Sequence, residues 1–411
     1  MRRLRGYFVN NLVLRGLRRV PAAKQGKHWS SYLIKGGSSL MGTAAIGKTS
    51  KDIYATIKGG SKEPMDLPEC VLVGFGNPLL DITTTVEDTV LIEKYDLRSN
   101  AAIIAEDSHM PLFEELTNQE FVHYSAGGAC QNSMRIFQWI VGKPFRSAFF
   151  GAVGRDKFGD TIAKRALVDG VETRYQIKDD VPTGTCAVIL SGTDRSVVAN
   201  LGAAALFTTE WLDIEENVCL LDNAKYFYAT GFFIAVSPES VLRIAKLASQ
   251  TNRFFVLNFS AVFVLRSHKN HLDEILPYCD MIIGNKLEAL AYANTHDWNT
   301  TDIFEVGRRL QSLPKDNCRP RIVLITDSVC PVLCFQDNDK VLQYPVPPID
   351  KKAVIDTNGC GDAFVGGYLS QLVQNMPVDY CIRAGIFASQ RVLRIVGVQI
   401  EKLPKFNESC I

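Results

Sequence analysis

No stretch of the 411 residues is apolar over the ~20 residues that a membrane-spanning helix needs. The nearest approach, Phe254 to Leu265, is interrupted by Asn258 and Ser260, so no membrane partner is expected. There is no internal repeat. Metal-ligand spacing is also missing: eleven cysteines are scattered from Cys70 to Cys410, and Cys330 and Cys334 sit inside an apolar run of strand type. They read as free, buried thiols. Their odd number, with no secretory signal evident, points to a reducing compartment. Acids are absent from residues 1–51, which carry six Arg and five Lys. The whole chain has a net charge of +1, so the remainder stands at −10, which argues against general nucleic-acid binding.

What is present is the composition of a globular protein, 46% hydrophobic and 22% charged. The segment 1–68 reads as a basic N-terminal extension. Its Arg residues alternate with Leu4, Tyr7, Phe8, Leu12 and Leu17, the pattern either of a mitochondrial transit peptide or of a basic tail on a cytoplasmic protein. Gly42 to Thr49 matches the G-x-x-x-x-G-K-[ST] phosphate loop. That loop needs a buried strand before it, whereas Lys35-Gly36-Gly37-Ser38-Ser39 has linker composition, so the match is read as a decoy.

From residue 69 to 411 strand-type and helix-type segments alternate. Strands are expected at Cys70–Gly74, Ser147–Val153, Tyr226–Ala229, Phe254–Leu257, Met281–Ile283 and Ile322–Thr326, and helices at Phe158–Leu167, Pro238–Ser249, Lys286–Ala293, Ile303–Leu313 and Asp362–Val373. The alternation predicts an α/β fold with a central, mostly parallel sheet flanked by helices, and ligands at the carboxyl ends of its strands.

The most informative stretch is Asp356-Thr357-Asn358-Gly359-Cys360-Gly361-Asp362-Ala363-Phe364. Ala353-Val354-Ile355 before it looks like a strand end, and the apolar residues after it recur at helical spacing. Two glycines then mark the start of a helix, where unpaired N–H groups and the positive end of the helix dipole attract an anion. Asp362 does not suit phosphate binding, but it suits removing a proton from a hydroxyl that attacks the phosphate. A bare G-x-G-D would be an ordinary turn. The longer string, with Gly366-Gly367 inside the helix, resembles the signature of the PfkB (ribokinase-like) carbohydrate and nucleoside kinases. Gly127-Gly128 with Asn132 resembles the sugar-binding motif of that family; alone it would be a turn into a helix over Gln131–Ile140. Within the family, Gly76 to Ile82, Pro182 to Ala187, Gly231-Phe232-Phe233, Val236 to Val241 and Asp356 to Leu372 are similar to eukaryotic adenosine kinases, over roughly residues 70 to 400.

The resemblance implies ATP-dependent phosphorylation of the adenosine 5′-hydroxyl with Mg²⁺, a small β-rich lid on the main sheet, a monomer, and a cytoplasmic and nuclear location. It implies Asp362 as general base, with Gly359, Cys360 and Gly361 as the anion hole. Asn77, Asp81, Gly127, Gly128 and Asn132 would hold the ribose. Phe233 would stack on the base, with Ile104, Val197 and Ala199 as apolar walls. Arg195, Asn285 and Thr326 would lie on the nucleotide side, with Glu288 acting on Mg²⁺ through water.

There are departures. Ala102 and Ala129 stand where adenosine kinases usually carry Gln and Ser, and the usual T-x-G-x-x turn near ATP reads Thr326-Asp327-Ser328-Val329-Cys330. A kinase for another nucleoside or sugar, or a non-catalytic nucleoside-binding paralogue, therefore stay as alternatives.

Overall fold

In a computed structural model, residues 67–404 and 406 are described, except 87–89, 98–101, 192–193 and 338–339. The basic leader, the phosphate-loop match and Cys410 lie outside the described residues.

Nine strands form the main sheet: β1 (Leu72–Phe75), β5 (Ser147–Gly154), β6 (Glu172–Lys178), β9 (Tyr226–Thr230), β10 (Phe254–Asn258), β11 (Met281–Asn285), β12 (Ile322–Asp327), β13 (Cys330–Asp337) and β14 (Lys340–Tyr344). They run in the order β14-β13-β12-β11-β10-β9-β1-β5-β6. All pairings from β6 through to β12 are parallel, and only the β12–β13 and β13–β14 hairpins are antiparallel. The helices that matter here are α1 (Ala129–Val141), α2 (Lys157–Val168), α3 (Pro238–Gln250), α4 (Lys286–Thr295), α5 (Ile303–Gln311), α6 (Cys360–Leu372) and α7 (Val378–Val392).

Both faces of the sheet are covered, which explains why its strands read as continuous apolar runs. In β5, Ala148, Phe150 and Ala152 join the core on one face, while Phe149 and Val153 join the core on the other. The glycine pair inside α6 serves this layering. A Cβ on Gly366 would come within 2.5 Å of the Ser133 carbonyl oxygen in α1, and one on Gly367 within 2.5 Å of the Ala384 carbonyl oxygen in α7. Each glycine lets α6 press against a different helix.

A second sheet of five strands has the order β3-β8-β7-β2-β4. Its members are β2 (Leu79–Val86), β3 (Ala102–Ile104), β4 (Val122–Gly127), β7 (Thr183–Ser191) and β8 (Asp194–Gly202). This is the small β-rich lid. One of its faces packs a satellite core through Ile82, Ala187, Ile189 and Val198. Register places Ser125, Asp81, Cys186, Ala199 and Ile104 in one row across the other face.

Two local expectations are corrected. Ala353-Val354-Ile355 is no strand end: a 3₁₀ turn over Lys351–Ala353 leads into extended chain, whose Ile355 amide bonds the Leu393 carbonyl at 2.8 Å. Cys330 is exposed, whereas Cys334 is buried; the ten described cysteines are all free. No described helix is long and apolar enough to cross a membrane.

Candidate active site

The carboxyl ends of β1, β9, β10, β11 and β12 lie along one edge of the main sheet, because these strands are parallel neighbours. Asn77, Phe232, Glu288 and Asp327 therefore emerge on one side of the molecule.

Gly359 caps α6 at its N-terminus with φ of 75°, the left-handed region where a side chain is strained. A Cβ there would also meet Val398 at 2.5 Å. In front of Gly361 nothing lies within 4 Å of a Cβ position, so the first turn of the helix faces open space. The loop before it is pinned by Asp356, a buried residue to which the sequence assigned no role. Its carboxylate accepts from the amides of Asn358 (2.6 Å) and Gly397 (2.8 Å).

Asp362 stands in the first turn of α6. Its Oδ2 accepts a hydrogen bond from Asn132 Nδ2 at 3.1 Å, and its backbone carbonyl accepts from Ser133 Oγ at 3.0 Å. Loss of water contact pushes the Asp362 carboxyl up to about 6; the Asn132 bond and the Arg195 charge act the other way. A carboxylate so tuned is ionised at neutral pH and still basic enough to take a proton. Helix α1 thus braces the acid of α6 through two successive side chains.

Asp81 is a buried residue of β2. Burial, with the charges of Asp362 and Asp356, pushes its carboxyl up to about 8. A Cβ on Gly127 would overlap this carboxyl, and one on Gly128 (φ 92°) would overlap the Asn77 carbonyl. The glycine pair is therefore the place where α1 closes on both polar groups. Asn77 donates to the Phe232 carbonyl at 3.2 Å. Its buried Oδ1 has no partner among the described residues. An acceptor left so costs ~1–3 kcal/mol until a donor arrives, and a sugar hydroxyl is such a donor.

Phe233 is corrected. Its ring is fully buried and packs edge-on against Phe207 at 5.2 Å, so it has no free face for a base. The neighbouring Phe232 is only partly buried and lies 6.0 Å from the Phe263 ring, beside Asn77. Adjacent aromatics on a one-turn helix point in different directions, which the Gly-Phe-Phe string does not reveal. The wall residues do fall together: Ala102 pairs with Val197 and Ile104 with Ala199, and Ile104 is 40% exposed.

Arg195 Nη1 reaches Asn358 Oδ1 at 3.3 Å, tying the second sheet to the α6 loop. Asn285 and Glu288 form a reciprocal cap on α4, with bonds of 2.9, 2.9 and 2.7 Å. Burial pushes the Glu288 carboxyl up to about 7. Thr326 is the next-to-last residue of β12, beside the altered turn. There Ser328 takes φ of 50°, so the backbone shape that a glycine would give is kept without one. Asp327 pairs with Lys286 at 3.1 Å, and a cavity of about 160 Å³ opens beside them, lined also by Ile325 and Cys330.

Comparison with known proteins gives a consistent result. Residues 90–405 match the pfkB family carbohydrate kinases. Adenosine kinase 2 of Arabidopsis thaliana is 40% identical over 82% of this chain and 97% of its own, and the adenosine kinase of Schizosaccharomyces pombe is 37% identical over the same shares. Among solved structures, Anopheles gambiae adenosine kinase in complex with P1,P4-di(adenosine-5) tetraphosphate superposes with a TM-score of 0.81 at 46% identity, covering 83% of this chain and all of its own. Schistosoma mansoni adenosine kinase, in complex with adenosine in an occluded loop conformation, superposes with a TM-score of 0.78 at 31% identity, covering 81% and 98%. With matches of this extent and identity, the chain belongs to the pfkB family of carbohydrate kinases and, within it, to the adenosine kinases.

Proposed function

We propose that the protein transfers the γ-phosphoryl group of ATP to the 5′-hydroxyl of adenosine, giving AMP and ADP. The observation that carries this is Asp362 in the first turn of α6, held by Asn132 beside an open, glycine-flanked helix terminus. Asp362 takes the hydroxyl proton as the new O–P bond forms and the bond to the β-phosphate oxygen breaks. The N–H groups around Gly359, Cys360 and Gly361 receive the charge on the transferring group. Arg195 suits the phosphates through its bidentate fork.

Asn77, Asp81 and Asn132 hold the ribose hydroxyls, with Gly127 and Gly128 keeping the backbone close. Apolar Ile104 and Ala199 lie in the same cross-strand row as Asp81, so a ligand held by its sugar at Asp81 has apolar surface further along that row, which favours a nucleoside over a free sugar. Phe232 replaces Phe233 as the aromatic surface for the base. Phe232→Ala is expected to raise the adenosine KM with little loss of melting temperature. Phe233→Ala is expected to cost ~3–5 kcal/mol of stability; thermal melts and initial rates on the two variants check this.

The donor set around Glu288 fits Mg²⁺ held through water. Its buried carboxylate already accepts from Asn285, and no cluster of three or more ligating side chains occurs among the described residues, so most ligands would be phosphate oxygens and water. Bound there, the ion would offset charge on the phosphates. Incubation with γ-labelled ATP and a nucleoside panel tests the proposal: label is expected in AMP with adenosine present. Label appearing only in a free sugar phosphate, or in no product, would refute it.

A further inference from the structure

The side chain of Arg135 is among the largest fully buried ones in the molecule, and no step described so far uses it. It lies on α1, three residues after Asn132. Its Nε donates to Asp169 Oδ2 at 2.7 Å, Nη1 to the Ala126 carbonyl at 2.8 Å and to Asn132 Oδ1 at 3.2 Å, and Nη2 to the Val398 carbonyl at 2.8 Å. We propose that Arg135 is a positioning residue for phosphoryl transfer, fixing the amide of Asn132 so that Asn132 in turn holds Asp362. This rests on the assignment of Asp362 as the base.

The geometry follows from donor and acceptor chemistry. A guanidinium only donates, so the Asn132 atom facing it must be the carbonyl oxygen. The Asn132 NH₂ group is then turned toward Asp362, with one hydrogen for Oδ2 and the second free for a sugar hydroxyl. Without Arg135 only the Asp362 contact itself orients the amide, and a flipped amide would set oxygen against the Asp362 carboxylate.

Arg135 also spans elements that meet at the site. Ala126 is on β4 of the lid, Val398 lies against Gly359, and Asp169 follows α2. Asp169 has a second partner in Arg165, whose Nε lies 2.9 Å from the same oxygen. Losing Arg135 therefore does not leave a buried carboxylate unpaired, although the two carbonyls lose their donor.

A lower melting temperature is expected of any change here and decides nothing. The test is a double-mutant cycle on the full chain: Arg135→Gln and Arg135→Lys, each alone and with Asn132→Ala. Arg135→Gln is expected to lower kcat roughly 10-fold, the worth of one hydrogen bond to a charged group. The acid limb of its pH–rate profile should move up by about one unit, because Asp362 loses a bond that favours its charged form. Arg135→Lys is expected to lose only about 3-fold, one donor surviving of the fork. In the Asn132→Ala background neither change should lower kcat further. Equal losses in both backgrounds, or wild-type kcat and pH profile in the single variants, would overturn the proposal. Should Arg135→Gln show no cooperative melt, the Arg135→Lys pair carries the same comparison. Failure of wild-type protein to make AMP would instead refute the function itself, a separate outcome read before any variant is made.

Discussion

Asp362→Asn is expected to remove ~10²–10⁴ of kcat, the usual worth of a positioned general base, while adenosine still binds. The substitution keeps the shape of the side chain. The Asn132 contact at 3.1 Å becomes amide to amide and can persist after a flip. What disappears is the group that accepts the proton. Because burial pushes the Asp362 carboxyl up to about 6, the wild-type kcat/KM profile is expected to show an acid limb near pH 6. The sign is that of a required base: activity is full above this value and falls as the pH drops through it. In Asp362→Asn the residual rate should lose that limb. Steady-state rates between pH 5 and 8, with adenosine binding measured by calorimetry, check both parts. A variant with near wild-type kcat, or one that no longer binds adenosine, would show that Asp362 is a ribose ligand or a structural acid rather than the base.

The parts of the site built from one continuous segment were legible in the chain. Gly359-Cys360-Gly361-Asp362 combines a left-handed turn, a helix start and an acid in the first turn, and each is a local property of a few residues. The parallel sheet was legible for a similar reason, since strands covered on both faces are apolar throughout. What the chain did not show is where α1 and the lid strands meet α6. Asp356 and Arg135 act on Gly397 and Val398, and Arg195 on Asn358, across 41, 263 and 163 residues of chain respectively. No spacing rule carries such pairings. The exchange of Phe232 for Phe233 has a different cause. In a helix of four residues, Gly231–Ile234, the period is too short to say which ring faces the core. The strand end expected at Ala353 failed because an apolar triplet is equally suited to packing extended chain.

The base side should be the least selective part of the pocket, and two substitutions should repair it. Ala102 and Ala129 occupy positions where polar side chains are usual in adenosine kinases, and both are partly exposed in this fold. Ala102 pairs with Val197 on the same lid face as Ile104 and Ala199, and Ala129 is the first residue of α1, directly after the glycine pair. The residues proposed to meet the base, on β3, on β8 and at the start of α1, are thus apolar. Apolar surface holds a flat base by contact but cannot penalise a wrong one, because no polar group in it is left unpaired. Two absent hydrogen bonds at ~0.5–1.5 kcal/mol each correspond to roughly a 5- to 150-fold weaker grip on adenosine. The ribose anchors are unchanged, so the sugar still sets the register of the 5′-hydroxyl and kcat should be affected little. Ala102→Gln with Ala129→Ser is therefore expected to lower the adenosine KM within that range and to sharpen the preference for adenosine over substituted purine nucleosides. Competition assays over a nucleoside panel, run on wild type and the double variant, provide the measurement. If wild type already binds adenosine tightly and narrowly, and the double variant binds it worse, then polar groups elsewhere read the base and Ala102 and Ala129 make room for them.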